Sequence, residues 1–309
     1  MSYTIDTIND KFRVMCGPDV IALAKTKEDA ELFGQYKTNE VILVYSGGLD
    51  STTVLYDLID RWYKVIAMSV NYGQKHSQEL EKAKEICKKL NIEQIELDLS
   101  NVSIFQTNGL VNKDMEIKDG LYDIENIQST MVLNRNSILA NYALAYAMNR
   151  KAIGIALWIH SEDQSTWEIE YPDCSPEFVS ALKVLAKQID FRPYEVIVPF
   201  SGKHKGDVVK RGLELQIPYE DTWSCYKGEN KGACGKCGTC VQRLNAFLSN
   251  WQMDVVKYQS LTQDDLELIW FDFSTLKQEK EERIWSINHK NWYKLEIMDV
   301  WNWFWSINQ

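Results

Sequence analysis

Apolar and polar positions alternate along the middle of the chain in two rhythms. Val41-Ile-Leu-Val-Tyr45, Val65–Val70, Gln94–Leu97, Ala152–Trp158 and Val196–Val198 have strand length and read as five strands. Between them, apolar residues recur with helical period at Val54, Leu55, Leu58, Ile59 and Trp62, and again at Leu80, Ala83, Ile86 and Leu90. Phe178, Leu182, Leu185 and Ile189 mark another amphipathic helix, and Val208, Val209 and Leu213 continue the alternation. Asn136–Met148 is apolar on nearly every face, as a buried helix is. Strands alternating with helices predict an α/β fold with a doubly wound parallel sheet, covered on both faces. Ligands of such sheets lie beyond the carboxyl ends of the strands. The loops after Tyr45, Val70 and Trp158 are therefore expected to converge on one site.

The flanks have a different character. Residues 1–39 form a polar lead-in with no strong period beyond Val20–Ala24. Residues 100–130 are polar and irregular, the signature of a functional loop or lid. After about residue 249 the chain becomes aromatic-rich, and seven of its eleven tryptophans lie at or beyond Trp251. Trp301, Trp303 and Trp305 alternate as on one face of a strand. Trp285-Ser-Ile-Asn288 recurs as Trp305-Ser-Ile-Asn308. Two copies do not make a solenoid. The expected organisation is an N-terminal extension over 1–39, a catalytic domain over 40–249 and a Trp-rich C-terminal extension over 250–309. That tail is either a layer covering the core or an aromatic surface for a protein partner.

Charge narrows the function. Lys plus Arg is 34 and Asp plus Glu is 44, a net charge of −10 in 309 residues. Bulk nucleic-acid binding needs clustered cations, so this balance disfavours it. No apolar run approaches the roughly 20 residues of a membrane span. Met1–Asp10 lacks the basic and apolar regions of a secretory leader. A soluble cytoplasmic protein is expected.

Ser46-Gly47-Gly48-Leu49-Asp50-Ser51 joins the first predicted strand to a helix. Paired glycines allow close backbone approach to an anion, and the helix start offers free amides and a positive dipole end. Ser46, Ser51 and Thr52 add hydroxyls. Asp50 would repel phosphate unless a divalent cation lies between them, so the string points to pyrophosphate with Mg²⁺. A capped strand-to-helix turn is the alternative. The loop is not a Walker loop, because no Gly-Lys-Ser/Thr ends it. It resembles the PP-loop of ATP pyrophosphatases, which cleave ATP between its α and β phosphates.

Cys225-x8-Cys234-x2-Cys237-x2-Cys240 places four thiols within 16 residues, with glycines at 232, 235 and 238. Four soft ligands and no open position describe a structural tetrahedral Zn²⁺ over 225–240. A redox pair and an iron–sulfur cluster are the alternatives. The total of seven cysteines is odd, which argues against a complete disulfide framework. Lys227, Lys231, Lys236 and Arg243 are placed to offset the charge of a zinc–thiolate site. Cys87 reads as a buried, inert thiol.

Taken in order, these motifs resemble the QueC family of 7-cyano-7-deazaguanine synthases. The matching pieces are Ser46–Thr53, Tyr72-Gly-Gln-Lys-His76, Arg135-Asn136, Tyr171-Pro-Asp-Cys-Ser-Pro-Glu-Phe178 and Thr222-Trp-Ser-Cys-Tyr226. The resemblance implies a PP-loop fold of the adenine nucleotide alpha hydrolase-like type. It implies an enzyme that adenylates 7-carboxy-7-deazaguanine with ATP, transfers the acyl group to ammonia and dehydrates the amide to a nitrile. It further implies catalytic roles for Ser46, Asp50 and Lys205, and ATP binding by Ser46–Thr52. Substrate contacts are implied for His76, Arg135, Asn136, Tyr171, Asp173, Cys174 and Glu177, and a homodimer is the implied assembly.

The chain also departs from the family's pattern. Ser175 stands where Arg is usual, Asn134 replaces a Gly, and Ser161–Glu170 is longer and more acidic. These departures and the extensions motivate an alternative acceptor, a protein amino terminus, as in QueC-like proteins of type IV CBASS antiviral systems. A module that only senses nucleotide is the remaining alternative.

Overall fold

The computed structural model describes residues 4–8, 10–16, 19–34, 39–73, 78–101, 110, 117, 119–120, 130–160, 171–190, 192–228 and 232–259. His76, Lys231, the Ser161–Glu170 segment, the repeated Trp-Ser-Ile-Asn and the alternating tail tryptophans lie outside these residues.

Five parallel strands form the central sheet: β4 (Glu40–Val44), β5 (Lys64–Asn71), β6 (Glu93–Asp98), β7 (Gly154–Ala156) and β8 (Glu195–Ile197), in the order β6-β5-β4-β7-β8. These are the five strands the apolar pattern predicts. All five residues of β4 are buried, and they alternate between two cores. Val41 and Leu43 pack with α2 (Leu49–Asp60), α3 (Gln78–Leu90) and two later helices, α6 (Lys205–Glu214) and α7 (Gly238–Leu248). Ile42 and Val44 face α4 (Arg135–Arg150) and α5 (Pro176–Ala186). The chain leaves β4 towards β5 and β6, then returns past it to β7 and β8. That reversal makes the carboxyl end of β4 the switch point where a crevice opens.

Two expectations are corrected. The lead-in is structured: β1 (Thr4–Ile8), β2 (Lys11–Cys16) and β3 (Asp19–Ala24) form an antiparallel sheet, with α1 (Lys27–Gly34) packed on it. Val14, Ala24 and Ala30 make its small core, joined by Ile5 and Phe12. β1 and β2 are short and set Ile5, Phe12 and Val14 among polar residues, so their period-two signal stays weak.

The stripe from Val54 to Trp62 holds at Val54, Leu55 and Leu58, which are buried, but not at its end. α2 stops at Asp60 and Trp62 turns left-handed at φ 64°, leaving its side chain 86% exposed. Ile59 is exposed with it. On α5 the inward face is Val179, Leu182 and Ala186, while Leu185 is exposed.

Candidate active site

The loop after β4 is pressed against α3. Gly47 has φ +85°, and a Cβ there would collide with the backbone of Glu79 and Ala83. A Cβ on Gly48 would lie 2.5 Å from Glu79 Oε1. Gly47 therefore needs glycine for close approach to α3, while at Gly48 the neighbour is the movable end of the Glu79 side chain. Ser46 Oγ accepts from the Gly48 N–H at 3.2 Å, lies 3.1 Å from Ser51 Oγ and donates to Glu79 Oε1 at 3.0 Å. Ser51 Oγ in turn accepts from the Ser46 N–H at 3.3 Å. The loop is thus ordered by its own hydroxyls, with amides at the start of α2 beyond it.

Asp50, in the first turn of α2, meets residues far along the chain. Lys205 Nζ lies 3.1 Å from Oδ2 and His160 Nε2 lies 3.4 Å from Oδ1. Burial alone would raise the pKa of Asp50; Lys205 and His160 outweigh it and hold the carboxyl well below the usual range. Lys205 is buried at the first residue of α6, where the helix dipole disfavours a cation. Its pairing with Asp50 offsets that cost. Asp50 Oδ1 is buried and makes no hydrogen bond.

The loops after β4, β5 and β7 converge on one cleft of about 1180 Å³, open solvent at its mouth included. Ser46, Gly48, Asp50 and Ser51 line it together with Lys205. Arg135, Tyr171, Asp173 and Cys174 line it too. Arg135 lies 5.3 Å over the Trp158 ring, a cation–π contact, and its Nε is buried without a hydrogen bond. Burial disfavours its charge, but Tyr72, Tyr226, Cys174 and Asp173 around it push its pKa above the ordinary value. Tyr171 Oη lies 3.2 Å from Thr130 Oγ1.

Other expected site residues fall elsewhere. Asn136 is buried behind the cleft: its N–H donates to Asp173 Oδ2 at 3.2 Å and its Nδ2 to the Asp173 carbonyl at 3.0 Å. It orients the Asp173 turn. Glu177 is exposed on the first turn of α5 and does not line the cleft. The Leu49 side chain is in the core, while its N–H points to Ser224 Oγ at 3.5 Å. Thr52 is buried with its hydroxyl 3.2 Å from Tyr45 Oη and does not itself line the cleft.

Two cleft residues, Glu79 and His160, carry titratable groups that motif reading missed. His160 follows β7 by four residues, where a parallel sheet places its ligand-facing loops. Glu79 is three residues past the Tyr72–His76 motif, in the first turn of the helix after β5. Position relative to the strand ends was the available signal for both.

The four cysteines gather as expected. Their sulfurs lie within 4.8 Å of one another, all are buried and none is in a disulfide. Cys225 and Cys237 are 4.0 Å apart, and Cys234 and Cys240 3.9 Å. A tetrahedron with bonds of about 2.3 Å has edges of about 3.8 Å, close to these two spacings, so the set is compatible with Zn²⁺. The N–H groups of Lys227, Gly228 and Cys234 point at Cys225 Sγ, and those of Lys236 and Cys237 at Cys234 Sγ. Those donors offset thiolate charge, a role expected of the neighbouring cations. Arg243 instead pairs with Asp254 at 2.6 Å, and Lys227 with Asp119 at 2.7 Å. Cys87 is buried and its thiol is pushed up to about 12 by desolvation, as an inert core thiol.

The cysteine lobe is fastened to the phosphate loop. Trp223 N–H donates to the Gly47 carbonyl at 3.2 Å, beside the Leu49–Ser224 contact. Ser224, Tyr226, Thr239 and Gln242 extend the cleft wall.

A glycine loop at the switch point of a parallel sheet, with a carboxylate–lysine pair in front of it, defines a PP-loop nucleotide-dependent protein. The chain belongs to the QueC family: the family model described as Queuosine biosynthesis protein QueC matches residues 40–251. It is 40% identical over 223 residues to the 7-cyano-7-deazaguanine synthase of Marinomonas sp. (strain MWYL1), covering 72% of this chain and 100% of that protein. The 7-cyano-7-deazaguanine synthase of Caldicellulosiruptor bescii is 40% identical over 218 residues, 71% of this chain and 96% of that one. The structure of NMN synthetase from Francisella tularensis is similar at 14% identity and a TM-score of 0.38, over 86% of this chain and 93% of that one. Among the described residues no helix is long and apolar enough to cross a membrane.

Proposed function

We propose that the protein uses ATP to adenylate the carboxylate of 7-carboxy-7-deazaguanine and passes the acyl group to ammonia. A second ATP-dependent round then dehydrates the amide to 7-cyano-7-deazaguanine. One observation carries this reading. The phosphate loop with Asp50 and Lys205 shares a single cleft with Arg135, Tyr171 and Asp173, in a chain 40% identical to 7-cyano-7-deazaguanine synthases.

The chemistry follows from the groups present. A carboxylate is a poor electrophile because its oxygen leaves badly. Attack of that oxygen on the α-phosphorus expels pyrophosphate and leaves AMP as a good leaving group. Amides of the glycine loop and the Lys205 ammonium favour the charge that grows on pyrophosphate. Arg135, buried with an unspent Nε, is suited to a phosphate or carboxylate. Asp173, oriented by Asn136, is suited to the N–H edge of a guanine-like base.

Asp50 Oδ1 is a hard oxygen donor with no hydrogen bond, which fits the Mg²⁺ that accompanies ATP. That cation supplies neutralisation of the leaving pyrophosphate. The four buried thiols fit one structural Zn²⁺, because they leave no ligand position open. A homodimer and a cytoplasmic location remain part of this reading.

Incubation with ATP, Mg²⁺, 7-carboxy-7-deazaguanine and ammonia, followed by mass spectrometry, tests it. The expected products are pyrophosphate, AMP, the amide and then the nitrile. Mass added to a protein in place of the nitrile would reassign the acceptor to a protein amine. Absence of pyrophosphate release would leave nucleotide sensing and overturn the enzyme reading.

A further inference from the structure

Glu79 is not used by any step above, although it lines the cleft beside the phosphate loop. It lies in the first turn of α3, its Oε1 accepts from Ser46 Oγ at 3.0 Å, and that oxygen lies against Gly48 of the loop. No ion pair joins it to a described residue. The other two cleft carboxylates are committed: Asp50 to Lys205 and His160, and Asp173 to the Asn136 N–H.

We propose that Glu79 is the proton acceptor of the nitrogen-transfer step, an assignment that rests on the ligase reading above. Ammonia attacks the acyl carbon of the adenylate and a C–N bond forms, leaving positive charge on nitrogen. If that nitrogen keeps its extra proton, it is the better leaving group and the intermediate reverts. Transfer of one proton from nitrogen to the Glu79 carboxylate prevents this. The C–O bond to AMP then breaks, its electron pair leaves on the phosphate oxygen, and the amide remains. Ammonia, acyl-adenylate and ionised Glu79 give amide, AMP and protonated Glu79, with atoms and charge balanced.

The surroundings suit that task. Burial raises the Glu79 pKa to about 7, against the lowering effects of the Ser46 hydrogen bond, Arg135 on α4 and Lys205 on α6. Asp50 on α2 adds to the rise. Tyr72, after β5, also faces it. A base is most effective when its pKa lies near the working pH. Asp50, held far below the usual range, cannot serve.

Glu79→Gln tests the assignment, because an amide oxygen still accepts from Ser46. Two half-reactions are compared in the full-length protein with ATP and Mg²⁺. One is acid-dependent exchange of labelled pyrophosphate into ATP, and the other is ammonia-dependent amide formation. The expected result is exchange within about threefold of wild type and amide formation lower by roughly 100-fold or more. The wild-type-to-variant ratio of amide formation should rise with pH up to about 7 and then flatten. Ammonium's own ionisation acts on both proteins and cancels in that ratio. Glu79→Asp, which keeps a carboxylate, should recover amide formation about tenfold or more over the Gln variant. Equal loss of both half-reactions, or a ratio flat across pH, would overturn the assignment. Failure of wild type to exchange pyrophosphate would overturn the ligase reading, and is seen before any variant is compared.

Discussion

Arg243→Met is the substitution whose cost the structure fixes most directly. Arg243 sits on α7, 2% exposed, and its guanidinium makes five hydrogen bonds. Nε and Nη2 hold Asp254 at 2.6 and 3.0 Å, Nη1 reaches Thr222 Oγ1 at 2.7 Å and Ser224 Oγ at 3.4 Å, and Nη2 reaches the Tyr219 carbonyl at 3.1 Å. Tyr219 and Phe247 flank it at 5.9 and 5.7 Å. Met fills similar volume but strands Asp254, which is buried. Leaving one partner of a buried pair costs about 3–5 kcal/mol. Tyr258 Oη still donates to Asp254 at 2.5 Å and the Val256 N–H at 3.3 Å, so the low end applies. About 3 kcal/mol corresponds to a melting point lower by roughly 6–12 °C for a domain of this size. Differential scanning calorimetry and urea unfolding give the number. Arg243→Met/Asp254→Asn removes the stranded charge and should recover half or more of the loss. A single-variant shift below about 2 °C, or a double variant no better than the single, would show that the ion pair does not hold this lobe.

Asp50→Asn should lower acid-dependent pyrophosphate exchange by about 100-fold or more while circular dichroism stays native; retained exchange would remove Asp50 from the reaction. Its carboxyl is held down in the folded chain, so the unfolded chain takes up the proton first as pH falls. The stability gap between wild type and Asp50→Asn should close as pH falls below about 4, a window chemical denaturation reads directly. Glu79 has the opposite sign: its raised pKa means the folded chain holds the proton longer, and ionising it costs stability between about pH 4.5 and 7. Glu79→Gln should therefore gain melting temperature relative to wild type on moving from pH 5 to pH 8, and no such gain would refute the desolvated carboxyl. Cys237→Ser should lose bound zinc by elemental analysis. It should also weaken ATP binding roughly tenfold, because the lobe it releases anchors Gly47 and Leu49 through about one hydrogen bond's worth of energy. Zinc loss with unchanged ATP affinity would uncouple the two.

What was legible in the sequence follows from how each signal is written there. The five parallel strands and the two-sided cover show as continuous apolar runs, because β4 buries Val41 and Leu43 on one face and Ile42 and Val44 on the other. The convergence of loops followed from the same topology. The antiparallel lead-in did not show, because β1 and β2 are short and set Ile5, Phe12 and Val14 among polar Asp6, Thr7, Lys11 and Arg13. Trp62 was misread because helical spacing carries no mark of where a helix ends; a left-handed residue two positions after Asp60 turned it outward. Thr52 shows a related limit: the hydroxyl is in the expected string, but its position on α2 sets it beside Tyr45 Oη.

Charge assignments were the least legible, since a sequence does not say which opposite charge a buried group meets. Arg243 reads as a counterion to the cysteines by proximity along the chain, only three residues after Cys240. In the fold the helix carries it to the far side, against Asp254 and the 219–224 segment. That placement gives the cysteine lobe a role beyond its own folding. The chain between Arg243's partner Thr222 and the first ligand Cys225 contains Trp223 and Ser224, the two residues that bond to Gly47 and Leu49. The cluster of four buried cysteines at one end and an arginine at the other hold this short segment between them. The phosphate loop lacks the lysine of a Walker loop and borrows its rigidity from that segment, so its geometry should respond to substitutions at Arg243 and Cys237 alike, although neither residue lines the cleft.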